Sequence, residues 1–398
     1  MKPETLFATI AAEGRACARR LMRGAAVLLG GALLASALAT PALAGATRNV
    51  VLIVFDGMRW QEVFTGADPA LITEAGGAIW EGEQQLRERY WRDDPAERRA
   101  LLMPFLWNTI AKAGQVFGNK ALASRAHVTN PYHFSYPGYN EMTTGAADPR
   151  IDSNEYGPNP NVSVFEWLNG RPDLAGKVAV FGNWPAYKDI FNTPRSHLYI
   201  QADATLPPAA GKDTPRQALL RRLYETTTLL DSGVVPDSFT QVTLLDYVRS
   251  AHPRVLFVGY GETDDWAHSG RYDNVLESAH HADGFVRELW ETMQSMPKYR
   301  GRTTFIVTTD HGRGSGLTEW KEHGVEQKGS DDVWIAVLGP DTPALGERRA
   351  IAPVTQAQIA ATVAALLGRD FRAAAPAAAP PLTDVLGPAG AGAAAAAH

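Results

Sequence analysis

The sequence predicts an α/β protein with a mostly parallel central sheet sandwiched between helices, and three observations predict this class. Apolar, β-branched runs of strand length alternate with helical segments along most of the chain. These runs lack a regular polar face, as expected for strands that are buried on both sides. Three of them end in Asp, Glu, His and Gly residues, and the carboxyl ends of strands are where ligands bind in open α/β sheets.

The elements alternate in order along the chain. Strands are predicted at Val50–Phe55, Lys177–Phe181, Val255–Val258, Thr304–Thr308 and Val333–Val337. Helices are predicted at Pro104–Ala113, Ser163–Asn169, Pro215–Leu230, Ser238–Ser250, Asn274–Gln294 and Thr355–Leu367. The polar, Pro- and Gly-rich stretches Gln61–Arg99 and Asn183–Asp213 are expected to leave the sheet as insertions that cap a site.

Composition narrows the partners of this chain. Its 398 residues are 45% hydrophobic and 20% charged, which is ordinary for a globular protein. The formal net charge of -5 gives no basis for a nucleic-acid-binding surface or for attraction to an anionic membrane. The composition leaves the oligomeric state open.

Residues 1–44 have the pattern of an export signal. Four arginines between Arg15 and Arg23 precede an apolar run at 25–35, and Ala42-Leu43-Ala44 is a small-residue cleavage site. A membrane anchor or a short core helix is the alternative, but the apolar run is short for a span. We expect cleavage, a periplasmic or secreted location, and no stable membrane span afterwards. The single cysteine, Cys17, lies in this leader, so the mature protein would have no disulfide.

The folded domain is expected to cover residues 45–372. Its ligand-bearing strands are spread over most of that length, which favours one large domain over two or three. Residues 373–398 are mostly Ala and Pro, with Gly near the end, and this composition is typical of a disordered tail.

Candidate metal ligands follow three of the predicted strands. Carboxylates and imidazoles at strand ends are costly to bury unless something binds them. One pair is spaced by four residues, which suits one helical turn, and one pair is adjacent, so a turn must bring both side chains to one metal. Such mixed ligands suit Zn²⁺ best, with Mn²⁺ or Fe as alternatives. The candidates are Asp56, Asp264, His268, Asp310, His311 and His323.

Each candidate has a simpler interpretation when taken alone. An Asp after a strand is often a helix cap or a turn residue, and a lone His is usually a surface residue or a hydrogen-bonded core residue. Asp265 is an alternative to Asp264 as the carboxylate ligand that follows the strand Val255–Val258. The joint pattern of six ligand types at three strand ends favours a metal centre.

These motifs resemble those of the alkaline phosphatase superfamily, which includes nucleotide pyrophosphatases/phosphodiesterases, sulfatases and cofactor-independent phosphoglycerate mutases. The resemblance rests on Asp-Gly, Asp-x3-His, Asp-His-Gly and a late His-Gly, and it covers nearly all of residues 46–372. It implies an alkaline-phosphatase-like catalytic domain with two zinc ions. By that resemblance Asp56, Asp310 and His311 would bind one zinc ion, and Asp264, His268 and His323 would bind the other.

The resemblance also implies a nucleophile between the first two ligand motifs, at the start of a helix. Ser135, Pro137 and Gly145 match the spacing of the pyrophosphatase segment, so Ser135 would attack phosphorus and contact the metal. Coordination to a dication would activate its hydroxyl. Ser135 could instead be a helix N-cap. The rival hydroxyls are those of Ser124, Thr129, Thr143 and Thr144, and no cysteine lies where sulfatases generate formylglycine.

Substrate contacts are predicted at several positions. Asn154 resembles the phosphodiesterase Asn that contacts a phosphoryl oxygen, although it follows Ser135 by nineteen residues, about two fewer than in that pattern. Trp184 and Tyr187 could stack on an organic leaving group. Phosphate clamps could come from four basic residues, although such residues are more often solvated surface charges, namely Arg150, Arg271, Lys321 and Lys328.

The expected function is that of an exported, two-zinc hydrolase of phosphoric esters that acts through a phosphoserine intermediate. One alternative is a phosphotransferase or phosphomutase of the same superfamily, which would pass the phosphoryl group to an alcohol. Another is a metal-binding domain without catalytic activity. The sequence does not separate monoester, diester and phosphonate substrates.

Overall fold

The computed structural model describes residues 45–206, 212–229 and 233–387. The predicted export signal, residues 1–44, lies outside the described residues. Within the described part of the chain, no helix is both long enough and apolar enough to cross a membrane.

Eight strands form the central sheet, in the order β10-β2-β9-β7-β1-β6-β4-β5. Neighbours pair in parallel except at β9, which is antiparallel to both β2 and β7. A small second sheet has the order β11-β3-β8. The strands are β1 Asn49–Phe55, β2 Gln115–Phe117, β3 Ala126–His127, β4 Val178–Phe181, β5 Tyr199–Gln201, β6 Val255–Tyr260, β7 Thr303–Thr308, β8 Asp332–Val333, β9 Ile335–Leu338, β10 Gly346–Glu347 and β11 Val354–Thr355.

Helices cover both faces of this sheet. They are α1 Trp60–Thr65, α2 Glu74–Gly77, α3 Glu83–Tyr90, α4 Pro95–Leu102, α5 Ala111–Ala113, α6 Ser135–Thr144, α7 Val164–Asn169, α8 Tyr187–Ile190, α9 Thr193–Ser196, α10 Pro215–Thr226, α11 Asp237–Ala251, α12 Glu262–His268, α13 Tyr272–Ser295 and α14 Gln358–Leu366. A π-helical turn, Leu106–Ile110, leads into α5. Three short 3₁₀ turns lie at Lys120–Leu122, Glu319–Lys321 and Thr383–Val385.

The two faces of β1 enter separate apolar cores. Val51 and Ile53 pack in one core with α1, α4 and α13, whereas Val50 and Leu52 pack in the other with α6, α7 and α14. Every residue of β1 is buried, which explains why the strand lacks an alternating polar face. This arrangement confirms the predicted class, a mostly parallel sheet between helices.

The predicted strands lie where expected, with one correction. The segment Val333–Val337 is not one strand, because β8 ends at Val333 in the small sheet and β9 starts at Ile335 in the central sheet. Trp334 separates the two, with its ring 5.8 Å edge-on from that of Phe55 and its indole N–H donating to the Met58 carbonyl. The strands that the sequence did not predict, β2, β3, β5, β10 and β11, have only two or three residues each.

The two predicted insertions differ in role. Residues 61–99 form helices whose apolar side chains, among them Val63, Phe64 and Leu86, pack into the first core. That segment therefore thickens a helical layer, and none of it borders the cavity described below. The second insertion does border that cavity, through residues 183–186 and Asp189.

The prediction of a disordered tail from Ala373 onward is wrong as far as Gly387. Ala378, Leu382, Val385 and Leu386 are buried in the second core, and the Leu382 N–H donates to the Thr362 hydroxyl at 2.9 Å. Ala and Pro side chains are small enough to follow the surface of α14 closely. This Ala- and Pro-rich segment is therefore packed against the domain despite its low sequence complexity. The folded domain therefore extends to residue 387, and residues 388–398 lie outside the described residues.

Candidate metal centre and active site

Strand register places the first candidate ligands side by side. Phe55 pairs with Tyr260 of β6, and Val54 pairs with Thr308 of β7. Asp56, Gly261 and Asp310 therefore leave three adjacent parallel strands at the same edge of the sheet. The sequence predicted this convergence from the strand ends alone.

Asp56, Asp310 and His311 form one candidate metal-binding group. Asp56 Oδ1 and Asp310 Oδ2 each lie 3.4 Å from His311 Nε2, and all three potential ligand atoms lie within 4.8 Å of one another. Neither carboxylate oxygen has a hydrogen-bond partner, although both are buried. Because orphaned buried carboxylate oxygens are costly, this donor set fits a bound divalent cation.

Asp264, His268 and His323 meet beside that group. His268 Nε2 lies 3.3 Å from Asp264 Oδ2 and 2.9 Å from His323 Nε2. Helix α12 carries Asp264 and His268 one turn apart, as their spacing predicted. Asp264 and His323 also form a compact group with His311, so the two sets of potential ligands are adjacent to each other.

The pKa values of both His311 and Asp310 are raised in this first group. Burial lowers the pKa of His311, but Asp310, Asp56 and Asp264 outweigh it and raise that pKa to about 9. Burial and the Asp56 charge raise the pKa of Asp310 well above its usual value. A cation that binds here must therefore displace protons, which couples metal uptake to proton release.

Arg313 is a site residue that the sequence analysis missed. Its buried guanidinium forms an ion pair with Asp264 Oδ1 and donates to the Lys321 carbonyl. Burial raises the pKa of Asp264, but Arg313 and then His268 outweigh it, so the pKa lies well below its usual value. Arg313 therefore keeps this carboxylate ionised and orients it. Its place two residues after His311 is the only sequence signal for that role.

Ser135 is the first residue of α6, and its side chain lies beside the cluster. Its Oγ is 3.4 Å from His311 Nε2, and the residue is 6% exposed. Phe134 occupies the N-cap position and the helix has no side-chain cap, so the alternative of Ser135 as a helix cap is wrong. Among the rivals, Ser124 Oγ accepts from the Gly118 N–H, and the Thr143 and Thr144 hydroxyls donate to carbonyls of α6.

Tyr139 links α6 to the carboxylates and was also missed. Its hydroxyl donates to Asp56 Oδ2 at 2.7 Å and accepts from the Tyr187 hydroxyl at 2.7 Å. Burial and the Asp56 charge raise the pKa of Tyr139 well above its usual value, so the phenol stays a donor. Tyr139 follows Ser135 by four residues, and that spacing places both on one face of the helix.

Replacing Tyr139 with Phe is expected to lower zinc affinity by about tenfold or more, because residues that orient metal ligands have effects of that size. Competition with a chromophoric chelator measures the affinity. Tyr299→Phe is the matched control, since its buried hydroxyl donates instead to the carbonyl of Pro253, which lies just before the amino end of β6. Equal zinc affinity in the Tyr139 variant and the wild type would contradict this role for the hydrogen bond.

A cavity of about 670 Å³ opens beside Ser135 and the candidate ligands. Asn154 lines it, and its Oδ1 accepts from the Tyr136 N–H at 2.9 Å, which fixes the amide. The amide nitrogen has no hydrogen-bond partner in the described structure, so it is available to donate to an anion. Trp184 also lines the cavity, whereas Tyr187 is buried behind it and hydrogen-bonded to Tyr139.

The four basic candidates for phosphate clamps do not line this cavity. Arg150 forms an exposed ion pair with Asp148, and Arg271 pairs with Asp273 while stacking on the Trp80 ring. These four residues therefore form no phosphate clamp in this cavity, and Arg150 and Arg271 are held elsewhere by their ion-pair partners.

Comparisons with known proteins identify solved structures with a similar fold. No family model matches the chain, and no curated protein matches it. Alkaline phosphatase PafA has a similar structure, with a TM-score of 0.54 and 11% identity over 86% of this chain and 99% of that chain. The lipoteichoic acid synthase LtaP from Listeria monocytogenes is similar with a TM-score of 0.52 and 12% identity over 82% of this chain and 73% of that chain. The chain therefore has the fold of alkaline phosphatase PafA, as the motifs indicated.

Proposed function

We propose that this protein is an exported, zinc-dependent hydrolase of phosphoric esters with Ser135 as nucleophile. The observation that carries the proposal is the position of Ser135 Oγ, which lies 3.4 Å from His311 Nε2 in a cavity lined by candidate metal ligands. The His and Asp donor set suits two Zn²⁺ ions, with Mn²⁺ or Fe as alternatives. Asp56, Asp310 and His311 would hold one ion, and Asp264, His268 and His323 the other.

In the proposed reaction, Ser135 Oγ attacks phosphorus in line with the ester oxygen. The bond from phosphorus to that oxygen breaks, the serine hydroxyl loses its proton, the leaving oxygen takes up a proton and departs as an alcohol, and a phosphoseryl intermediate forms. Water then attacks phosphorus and releases the serine hydroxyl. The ions, when bound, would lower the pKa of the serine hydroxyl and offset the charge on the phosphoryl oxygens. The Asn154 amide nitrogen would donate to one of those oxygens.

The leader supports the proposed location, periplasmic or secreted, after cleavage behind Ala44. The lack of cysteine after residue 17 supports a mature domain whose stability comes from its two large apolar cores rather than from disulfides.

Metal removal and reloading test the proposal. Treatment with a chelator is expected to abolish hydrolysis of p-nitrophenyl phosphate and of its bis(p-nitrophenyl) diester. Addition of about two equivalents of zinc is expected to restore it. Full activity in protein shown to be free of metal would overturn the proposal. Transfer of most of the phosphoryl group to an added alcohol, instead of to water, would favour a phosphotransferase.

A further inference from the structure

The residues that line the cavity besides the six candidate metal ligands include acidic and aromatic side chains. Glu155, Asp189 and Asp265 line it together with Trp184. No Lys or Arg is among the described residues that line it. The Arg313 guanidinium beside the candidate ligands is buried and paired with Asp264.

This charge distribution disfavours a substrate with two negative charges, if the protein has the proposed function. Two dications and the Arg313 guanidinium would carry five positive charges, and Asp56, Asp264, Asp310 and an ionised Ser135 would carry four negative charges, so one positive charge would remain. A phosphate monoester carries nearly two charges at neutral pH, because its second pKa is about 6, whereas a diester carries one. The acidic wall would repel the second charge of the monoester, and no basic residue of the wall could meet it. The charges around the cavity therefore suit a phosphate diester better than a phosphate monoester.

The same wall offers a place for a positive charge. Neither Glu155 nor Asp189 forms an ion pair in the part of the chain that the structure describes. The Trp184 ring is held by Tyr139 and Tyr187, whose ring centroids lie 6.4 and 6.0 Å away. An indole ring that lines a cavity together with carboxylates is suited to binding an ammonium group.

Asn183 adds a separate sign of a polar ligand. It is 1% exposed, lines the cavity, and has no hydrogen-bond partner for either Nδ2 or Oδ1. Gly261 leaves the space for this amide, since a Cβ there would lie 2.6 Å from both polar atoms. A buried amide with both groups unpaired is rare in a finished interior, so it points to a partner that arrives with the ligand.

We propose that the substrate is a phosphodiester whose organic group carries a positively charged amine or quaternary ammonium. Glu155, Asp189 and Trp184 bind the cation, and Asn183 binds polar atoms of the organic group. The diester phosphorus then lies beside Ser135. This proposal rests on the proposed function and names the substrate class of the same site.

Matched substrates test the charge preference. The zinc-loaded protein is given p-nitrophenyl phosphorylcholine and its neutral isostere, p-nitrophenyl 3,3-dimethylbutyl phosphate, in which carbon replaces nitrogen. We expect kcat/KM to be about tenfold higher for the cationic diester. We also expect the monoester p-nitrophenyl phosphate to be the poorest of the three. Equal values for the two diesters, or a preference for the monoester, would overturn the proposal.

Variants of the cavity carboxylates test which residues produce the preference for the cationic diester. Asp189→Asn and Glu155→Gln are each expected to lower the ratio of the two diester kcat/KM values by about threefold or more. Asp152→Asn is the matched control, because Asp152 is an exposed acid on the loop that carries Glu155 but does not line the cavity. An unchanged ratio in both cavity variants would contradict the assigned role of these carboxylates.

A binding measurement separates this proposal from the proposed function. Calorimetry with zinc-loaded Ser135→Ala is expected to show about tenfold tighter binding of the cationic diester than of its neutral isostere. If wild-type protein hydrolyses none of the esters but this preference holds, the proposed function fails and the cation site stands. If the esters are hydrolysed and the variant binds both diesters equally, the cation site fails alone.

Discussion

Replacing Ser135 with Ala is expected to lower kcat for nitrophenyl phosphate esters by about 10³-fold or more while the protein keeps its zinc. A loss of that size corresponds to about 4 kcal/mol in the activation free energy. The physical reason is that none of the four rival hydroxyls, those of Ser124, Thr129, Thr143 and Thr144, lines the cavity. The rival hydroxyls of Ser124, Thr143 and Thr144 are bonded to backbone groups. The six candidate ligands remain in place without the serine, so metal content is retained.

Two measurements check this result together. Steady-state rates give kcat, and elemental analysis of the purified protein gives zinc per chain. Ser124→Ala is the control, since it removes a buried rival hydroxyl, and its kcat is expected to match the wild type. Activity within tenfold of the wild type in the Ser135 variant, with normal zinc content, would rule out this nucleophile.

Replacing Gly57 with Ala is expected to cost most of the metal affinity, about 100-fold or more, together with activity. Gly57 has φ of +58°, in the left-handed region, and its N–H donates to Asp310 Oδ1 at 3.0 Å. A Cβ there would lie 2.4 Å from Asp264 Oδ1 and 2.9 Å from Arg313 Nε. The added methyl group must push a candidate ligand and its buried ion-pair partner aside, and small displacements of ligands reduce metal affinity strongly.

Gly176→Ala is the matched control for backbone strain. Gly176 has φ of +69°, but a Cβ there would meet nothing within 4 Å. The Gly176→Ala substitution should therefore lower the free energy of unfolding only through left-handed backbone strain, by about 1–2 kcal/mol. Chelator competition and thermal unfolding with and without zinc compare the two variants. If both lose the same stability and both retain zinc, crowding of the centre at Gly57 is disproved.

Much of the fold and of the candidate centre could be predicted because those features are local in the sequence. The central strands are unbroken apolar runs, and a run such as Val50–Phe55 reports burial on both faces directly. Asp56, Asp264 and Asp310 each follow such a run within a few residues. Parallel pairing then brings the strand ends to one edge, so the ligands could be expected to meet without any knowledge of the helices.

Other features depend on contacts between distant segments, which no local pattern reports. Short strands such as β10 and β11 have two residues each and exist only because a longer partner pairs with them. The segment from Ala373 to Gly387 has the composition of a disordered tail, yet it packs because α14 offers an apolar surface to cover. Composition describes what a segment can bury, whereas its order depends on what it lies against.

The sequence by itself determined the sheet, its helical layers, and the chemical types that gather at one sheet edge, because hydrophobic periodicity and strand-end residues act over a few positions. Only the tertiary structure decided that Tyr139 supports Asp56, that Arg313 pairs with Asp264, and that acids instead of bases line the cavity. These arrangements join residues from separate elements, and the packing of whole helices sets the distances between them.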